Sequence, residues 1–180
     1  MINMSRELKH SYVIISCEGN AEKEIIELLS DAGHLIIPKD NIIDITTVRD
    51  SKKIVSEYLG FDYARDVMIV RVLDSPRERF DLGKLYDNRV EVVSVYTQPE
   101  IEILVIIAEG KYGEFSGKYK SKMKPSEYCV QYLGYANVKH KGFFCGYFSD
   151  VSVLVKCICE YKRVRPKKKR ELSLFELLDC

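Results

Sequence analysis

The sequence predicts an α/β protein built on a mostly parallel sheet flanked by helices, and three observations carry that reading. Residues 12–17 and 67–73 are nearly unbroken β-branched apolar runs, the pattern of strands covered on both faces. Between such runs the spacing turns helical, apolar on one side and charged on the other. The two runs end in acidic turns, Glu18-Gly19-Asn20 and Asp74-Ser75-Pro76. Strands that alternate with helices in this way favour parallel pairing, with the functional edge at the carboxyl ends of the strands.

In chain order, residues 12–17 form the first strand and Gly19 breaks it. From Ala21, Ile25, Ile26, Leu28 and Leu29 line one helical face against Glu22, Lys23, Glu24 and Glu27, and this helix ends near Gly33. Residues 42–47 read as a second strand. Ser51 is placed to cap a short helix that runs to Leu59 and stops at Gly60. Residues 67–73 and 90–95 are the third and fourth strands, and Pro99 is placed to open a helix reaching Gly110. The strands at 12–17 and 67–73 are expected to be parallel neighbours, because both are buried runs that end in acids.

Beyond Gly110 the texture changes. Residues 111–124 interleave lysines with Tyr112, Phe115 and Tyr119 and read as a loop, followed by a short helix over 126–133. Residues 151–161 alternate as a strand would, yet Asp150 is a good helix cap; helix is the preferred reading. A basic segment, 162–170, and a short amphipathic ending, 173–178, complete the chain. The expected division is an α/β domain over 1–135 and a helical or mixed extension over 136–180.

With 46% hydrophobic and 31% charged residues in 180, the composition is that of a folded chain with one main core. The longest apolar run, 103–108, is far short of the roughly 20 residues a bilayer needs, and the polar N-terminus lacks a secretory pattern, so a cytoplasmic, non-membrane protein is expected. The six cysteines form no paired framework and the three histidines are scattered, which disfavours structural zinc. A net charge of +1 leaves any attraction to nucleic acid to local patches.

Three features could carry chemistry. Glu18-Gly19-x-x-Glu22 sits where a buried strand turns into a helix, so two carboxylates converge on one turn; the plainer alternative is that Glu22 complements the helix dipole. Asp74 ends the other buried run and would share the edge with Glu18, suiting Mg²⁺, which takes oxygen ligands and often only one or two carboxylates. Lys111, Lys118, Lys120, Lys122 and Lys124 with Tyr119, and Arg165, Lys167, Lys168, Lys169 and Arg170, are residue types that neutralise phosphates and stack on bases. The plainer reading of the first stretch is a flexible solvated loop, which base rates favour, and the second equally suits a solubilising segment or a partner-binding arm.

VIISCEGNAE and RVLDSPRERF together resemble the Toprim fold of topoisomerases, primases and overcoming-lysogenization-defect nucleases, whose signature is a strand ending in Glu-Gly and a later strand ending in Asp-x-Asp. Here Asp74 matches the first aspartate and Pro76 stands in place of the second. Gln98-Pro99-Glu100-Ile101-Glu102 further resembles the Asn-Pro-x-Phe-Glu pattern of the RloB-like family, associated with restriction and phage-defence loci; Gln98 and Ile101 are departures. The resemblance spans roughly residues 11–135. It implies a Mg²⁺- or Mn²⁺-dependent nuclease-like protein acting on DNA or RNA, with Glu18, Asp74 and Glu102 catalytic and Glu22 and Glu100 as further metal ligands. Pro76 favours the alternative of a catalytically degenerate module that binds nucleic acid or protein. A third expectation is an interaction subunit or homo-oligomer that docks through residues 173–178.

Overall fold

The computed structural model describes residues 4–165 and 171–179. Its centre is a four-stranded, all-parallel sheet in the order β2-β1-β3-β4, made of β1 (Tyr12–Cys17), β2 (Ile42–Thr46), β3 (Val67–Leu73) and β4 (Glu91–Tyr96). β1 and β3 are parallel neighbours in register from Tyr12↔Val67 to Cys17↔Val72, as their apolar runs predict. Alternation divides their side chains between two cores. Val13, Ile15, Cys17, Met68, Val70 and Val72 face the larger core, whereas Ile14 and Ile69 face a smaller one with Ile54, Leu59 and Leu82.

On the larger face lies α2 (Asn20–Asp31), whose Ile25, Ile26 and Leu29 are fully buried. Its chain leaves through Gly33 at φ 71°, a left-handed conformation that favours glycine. α3 (Ser51–Ile54) is capped by Asp50, not Ser51: the Asp50 carboxylate accepts from Lys53 N at 2.9 Å. A π-helical turn, Val55–Leu59, continues it.

Several expectations are corrected. The polar N-terminal segment is a helix, α1 (Met4–His10), which needs only one fully buried residue, Leu8, to dock. α4 (Ile103–Ala108) begins four residues after Pro99, because Pro99 to Glu102 form turns. Residues 111–124 are not a plain loop. α5 (Tyr112–Glu114) and a π-turn (Phe115–Tyr119) draw Phe115 into the core, where its ring meets Tyr128 at 5.3 Å. α6 (Pro125–Tyr132) begins at Pro125, one residue ahead of the expected 126, with Glu127 accepting from Lys124 N at 2.8 Å.

After α7 (Phe143–Tyr147), the ambiguous segment is helix α8 (Val151–Val164), capped by Asp150 through Ser152 N at 2.9 Å. Leu154, Cys157 and Ile158 at helical spacing join the main core, so tertiary burial resolves the ambiguity. The ending does not offer a free docking face. Leu174, Leu177 and Leu178 are buried in the chain's own core, Leu172 bridges Val95 beside β4, and Leu178 bridges Leu35. Val138, Phe144, Phe148, Leu154 and Ile158 pack in the same core as the sheet.

Candidate functional site

All four strands point the same way, so their carboxyl ends collect the residues that follow them: Glu18 after β1, Arg49 after β2, Asp74 after β3, and the 98–102 turn after β4. Pairing of β1 with β3 fixes the central contact. Glu18 N donates to Val72 O at 2.8 Å, and Glu18 Oε2 accepts from Asp74 N at 2.7 Å. Arg49 Nη1 stands 3.6 Å from Glu18 Oε1. Burial pushes the Glu18 carboxyl up from its ordinary value, and the negative charge of Asp74 adds to this against the Asp74 backbone N–H and Arg49.

Glu22 occupies the first turn of α2 and folds back over Gly19. A methyl group on residue 19 would lie 3.2 Å from Glu22 Oε2, so a larger residue would push that carboxylate aside by a few tenths of an ångström; the extended φ of −148° is open to other residues. Glu22 is buried, and burial, followed by the charges of Glu102 and Glu18, pushes its carboxyl up to about 7. Glu102 is buried too and is raised first by burial, then by Glu100. Glu100 behaves differently. Burial opposes its ionisation, but Ser126 (Oγ at 2.7 Å, N at 3.1 Å) and Lys139 at 3.2 Å outweigh it and hold the carboxyl below its usual range.

The expected ligands thus separate by environment. Glu18 touches Asp74, Glu22 lies in the field of Glu18 and Glu102, and Glu100 is committed to Ser126 and Lys139. Among the described residues, no three His, Cys, Asp or Glu side chains assemble closely enough to form a metal-binding group. The basic residues also separate. Lys111 pairs with Glu114 at 3.8 Å and Lys124 with Glu100 at 3.9 Å, while Lys118 and Lys122 are exposed. Tyr119 is packed against Tyr132 at 4.7 Å and Tyr128 at 5.3 Å, so much of its ring serves protein packing. Lys120 and Arg165 line a cleft beside Asp74. Lys167, Lys168, Lys169 and Arg170 lie outside the described residues.

Sequence reasoning missed four charged residues. Arg71 lies within β3, is only 2% exposed, and places its guanidinium 4.2 Å from the Phe80 ring centre and 3.1 Å from Glu78 Oε2. Burial lowers its pKa and Glu78 opposes that. Glu78 is shared with Arg49, whose Nη2 reaches it at 2.9 Å, so one carboxylate holds two guanidiniums beside Glu18. Lys139 is the fourth. The signal for Arg71 was present: an arginine inside a doubly buried apolar run must find a counter-ion.

No protein-family profile, curated protein or solved structure matches this chain. Among the described residues, no helix is long and apolar enough to cross a membrane.

Proposed function

We propose that this protein is a Toprim-like phosphodiester-processing protein that acts on DNA or RNA with Mg²⁺ or Mn²⁺. The observation that carries the proposal is the contact between Glu18 Oε2 and Asp74 N at 2.7 Å, which sets two acidic strand ends side by side at the carboxyl edge of a parallel sheet. The donor chemistry suits a hard cation: the groups are carboxylate oxygens, and Mg²⁺ commonly takes one or two of them and completes its shell with water and substrate phosphate. Glu18 and Asp74 would hold the ion, with Glu22 and Glu102 behind them. When bound, it would supply charge stabilisation to the phosphate oxygens.

The chain's own residues do the rest. Burial and the Asp74 charge hold the Glu18 carboxyl above its ordinary value, which suits proton acceptance from an attacking hydroxyl or water. Arg49 steers that carboxylate and is itself steadied by Glu78. Lys139 offsets the charge of Glu100 and Glu102. The test is cleavage of labelled single- and double-stranded DNA and RNA by the purified protein with Mg²⁺ or Mn²⁺, with Glu18→Gln as the control. Metal-dependent cleavage lost in Glu18→Gln is the expected result.

A second reading, nucleic-acid binding without cleavage, is favoured by Pro76 at the second aspartate position and by the separation of the acids into different environments. Binding with no cleavage under either metal would select it. Neither binding nor cleavage would refute both.

A further inference from the structure

Beside Asp74 an open cleft of about 490 Å³ lies between the turn after β3, the turn after β4, the end of α8 and the residue that follows the Phe115–Tyr119 π-turn. Three separate parts of the chain each bring a cation to it: Arg77, Lys120 and Arg165. Among the described residues, neither Arg77 nor Lys120 is in an ion pair. Arg165 has a side chain only 9% exposed, its Nη1 has no hydrogen-bond partner, and its Nη2 stands 3.9 Å from Glu171 Oε2. An unmet guanidinium donor is costly inside a fold, and the Arg165 side chain lines the cleft.

The rest of the lining is mixed: Asp74, Ser75 and Gln98 are polar, and Pro76, Pro99 and Tyr161 supply ring surface. Pro76 and Pro99 present rings to the cleft, and Tyr161 is held there by the hydrogen bond its hydroxyl donates to Gln98 O. Three cationic residues sharing one cleft with Tyr161 and two prolines, in a volume within the usual range for ligand sites, match a nucleotide unit rather than a bare anion.

We infer that this cleft binds one nucleotide of a single-stranded nucleic acid, its phosphate toward Arg77, Lys120 and Arg165 and its base toward Pro76, Pro99 and Tyr161. The inference rests on the nucleic-acid reading above and deepens it. It gives the C-terminal helix a role at the acidic edge, because Tyr161 and Arg165 both belong to that end of the chain.

The test measures binding of a labelled oligothymidylate by fluorescence anisotropy in EDTA, across a salt series, for the full chain and for Arg77→Ala, Lys120→Ala and Arg165→Gln. Arg89→Ala, which removes the same charge at a pocket lined by the opposite ends of the strands, is the control. Each cleft variant is expected to bind several-fold more weakly and to flatten the slope of log K against log salt by about 0.7 per lost contact, with Arg89→Ala unchanged. Arg77 and Lys120 are exposed, so these two variants carry the test if Arg165→Gln melts early. Absence of wild-type binding, or cleft variants that behave like Arg89→Ala, overturns the inference. Thymidine monophosphate competing as well as the unlabelled oligomer would assign the cleft to a free nucleotide and overturn the strand assignment. The cleavage assay is read separately: flattened slopes without cleavage keep the cleft and refute catalysis, and cleavage with unchanged slopes does the reverse.

Discussion

Replacing Glu22 with Gln in metal-free buffer should stabilise the protein at alkaline pH and leave it nearly unchanged in acid. Glu22 is 8% exposed, and burial plus the charges of Glu102 and Glu18 raise its carboxyl from 4.5 to about 7 in the fold. Between those values the folded chain binds more protons at this residue than the unfolded chain. Stability from Glu22 is therefore fully present below 4.5 and declines as pH rises through about 7. At about 1.4 kcal/mol per pH unit, the loss is at most about 3.5 kcal/mol. Glutamine has nearly the shape of the protonated acid and cannot ionise, so the variant avoids that loss. For a chain of this size the gain corresponds to at most roughly 7–14 °C in melting temperature above about pH 8. Thermal melts of both proteins across the range, in EDTA, are the assay. A variant that is less stable than wild type at alkaline pH, or a difference that does not change with pH, refutes the buried, crowded placement of Glu22.

The other predictions concern the edge and its supports. Asp74→Asn should abolish any metal-dependent cleavage while shifting the melting temperature little, since the contact to Glu18 comes from the Asp74 backbone; an unfolded variant makes Asp74 a structural turn residue. Glu24→Ala should cost about 3–5 kcal/mol by denaturant melts, because its buried carboxylate accepts from Gly142 N and Phe144 N and anchors α7 to α2; a loss under about 1 kcal/mol refutes that role. Leu177→Ala should cost about 2–5 kcal/mol, since Leu177 is fully buried; a neutral result would mean the ending is peripheral.

The sheet was legible because its signal is local. Unbroken β-branched runs at 12–17 and 67–73 need cover on both faces, and a parallel sheet between helices provides it. The acids that end these runs were legible for the same reason, since a parallel register carries adjacent strand ends to one edge. What escaped were features decided by distant partners. Residues 111–124 look like a solvated loop until Phe115 finds Tyr128, and residues 173–178 look like a free amphipathic arm until Val95 and Leu35 supply bridges for Leu172 and Leu178. Truncation after Tyr161, which the sequence makes attractive as a way to remove basic charge, would also strip Leu174, Leu177 and Leu178 from the core.

Arg71 shows where a sequence reading could have gone further. In the run Val67–Leu73 it is the one charged residue, and strand register places it in a row with Thr46, Ser16 and Ser94, one from each other strand. That polar row lies just inside the carboxyl edge, on the face opposite the larger core. Its Nη2 lies 3.1 Å from Glu78 Oε2 yet makes no aligned hydrogen bond, so the pair is held by charge and by the Phe80 ring. Removing Glu78 would strand Arg71 in a buried site and free Arg49 at the same time, which ties the stability of the smaller core to the charge that faces Glu18. The acidic edge is therefore set from beneath by a buried arginine as well as by the strand ends that carry its carboxylates.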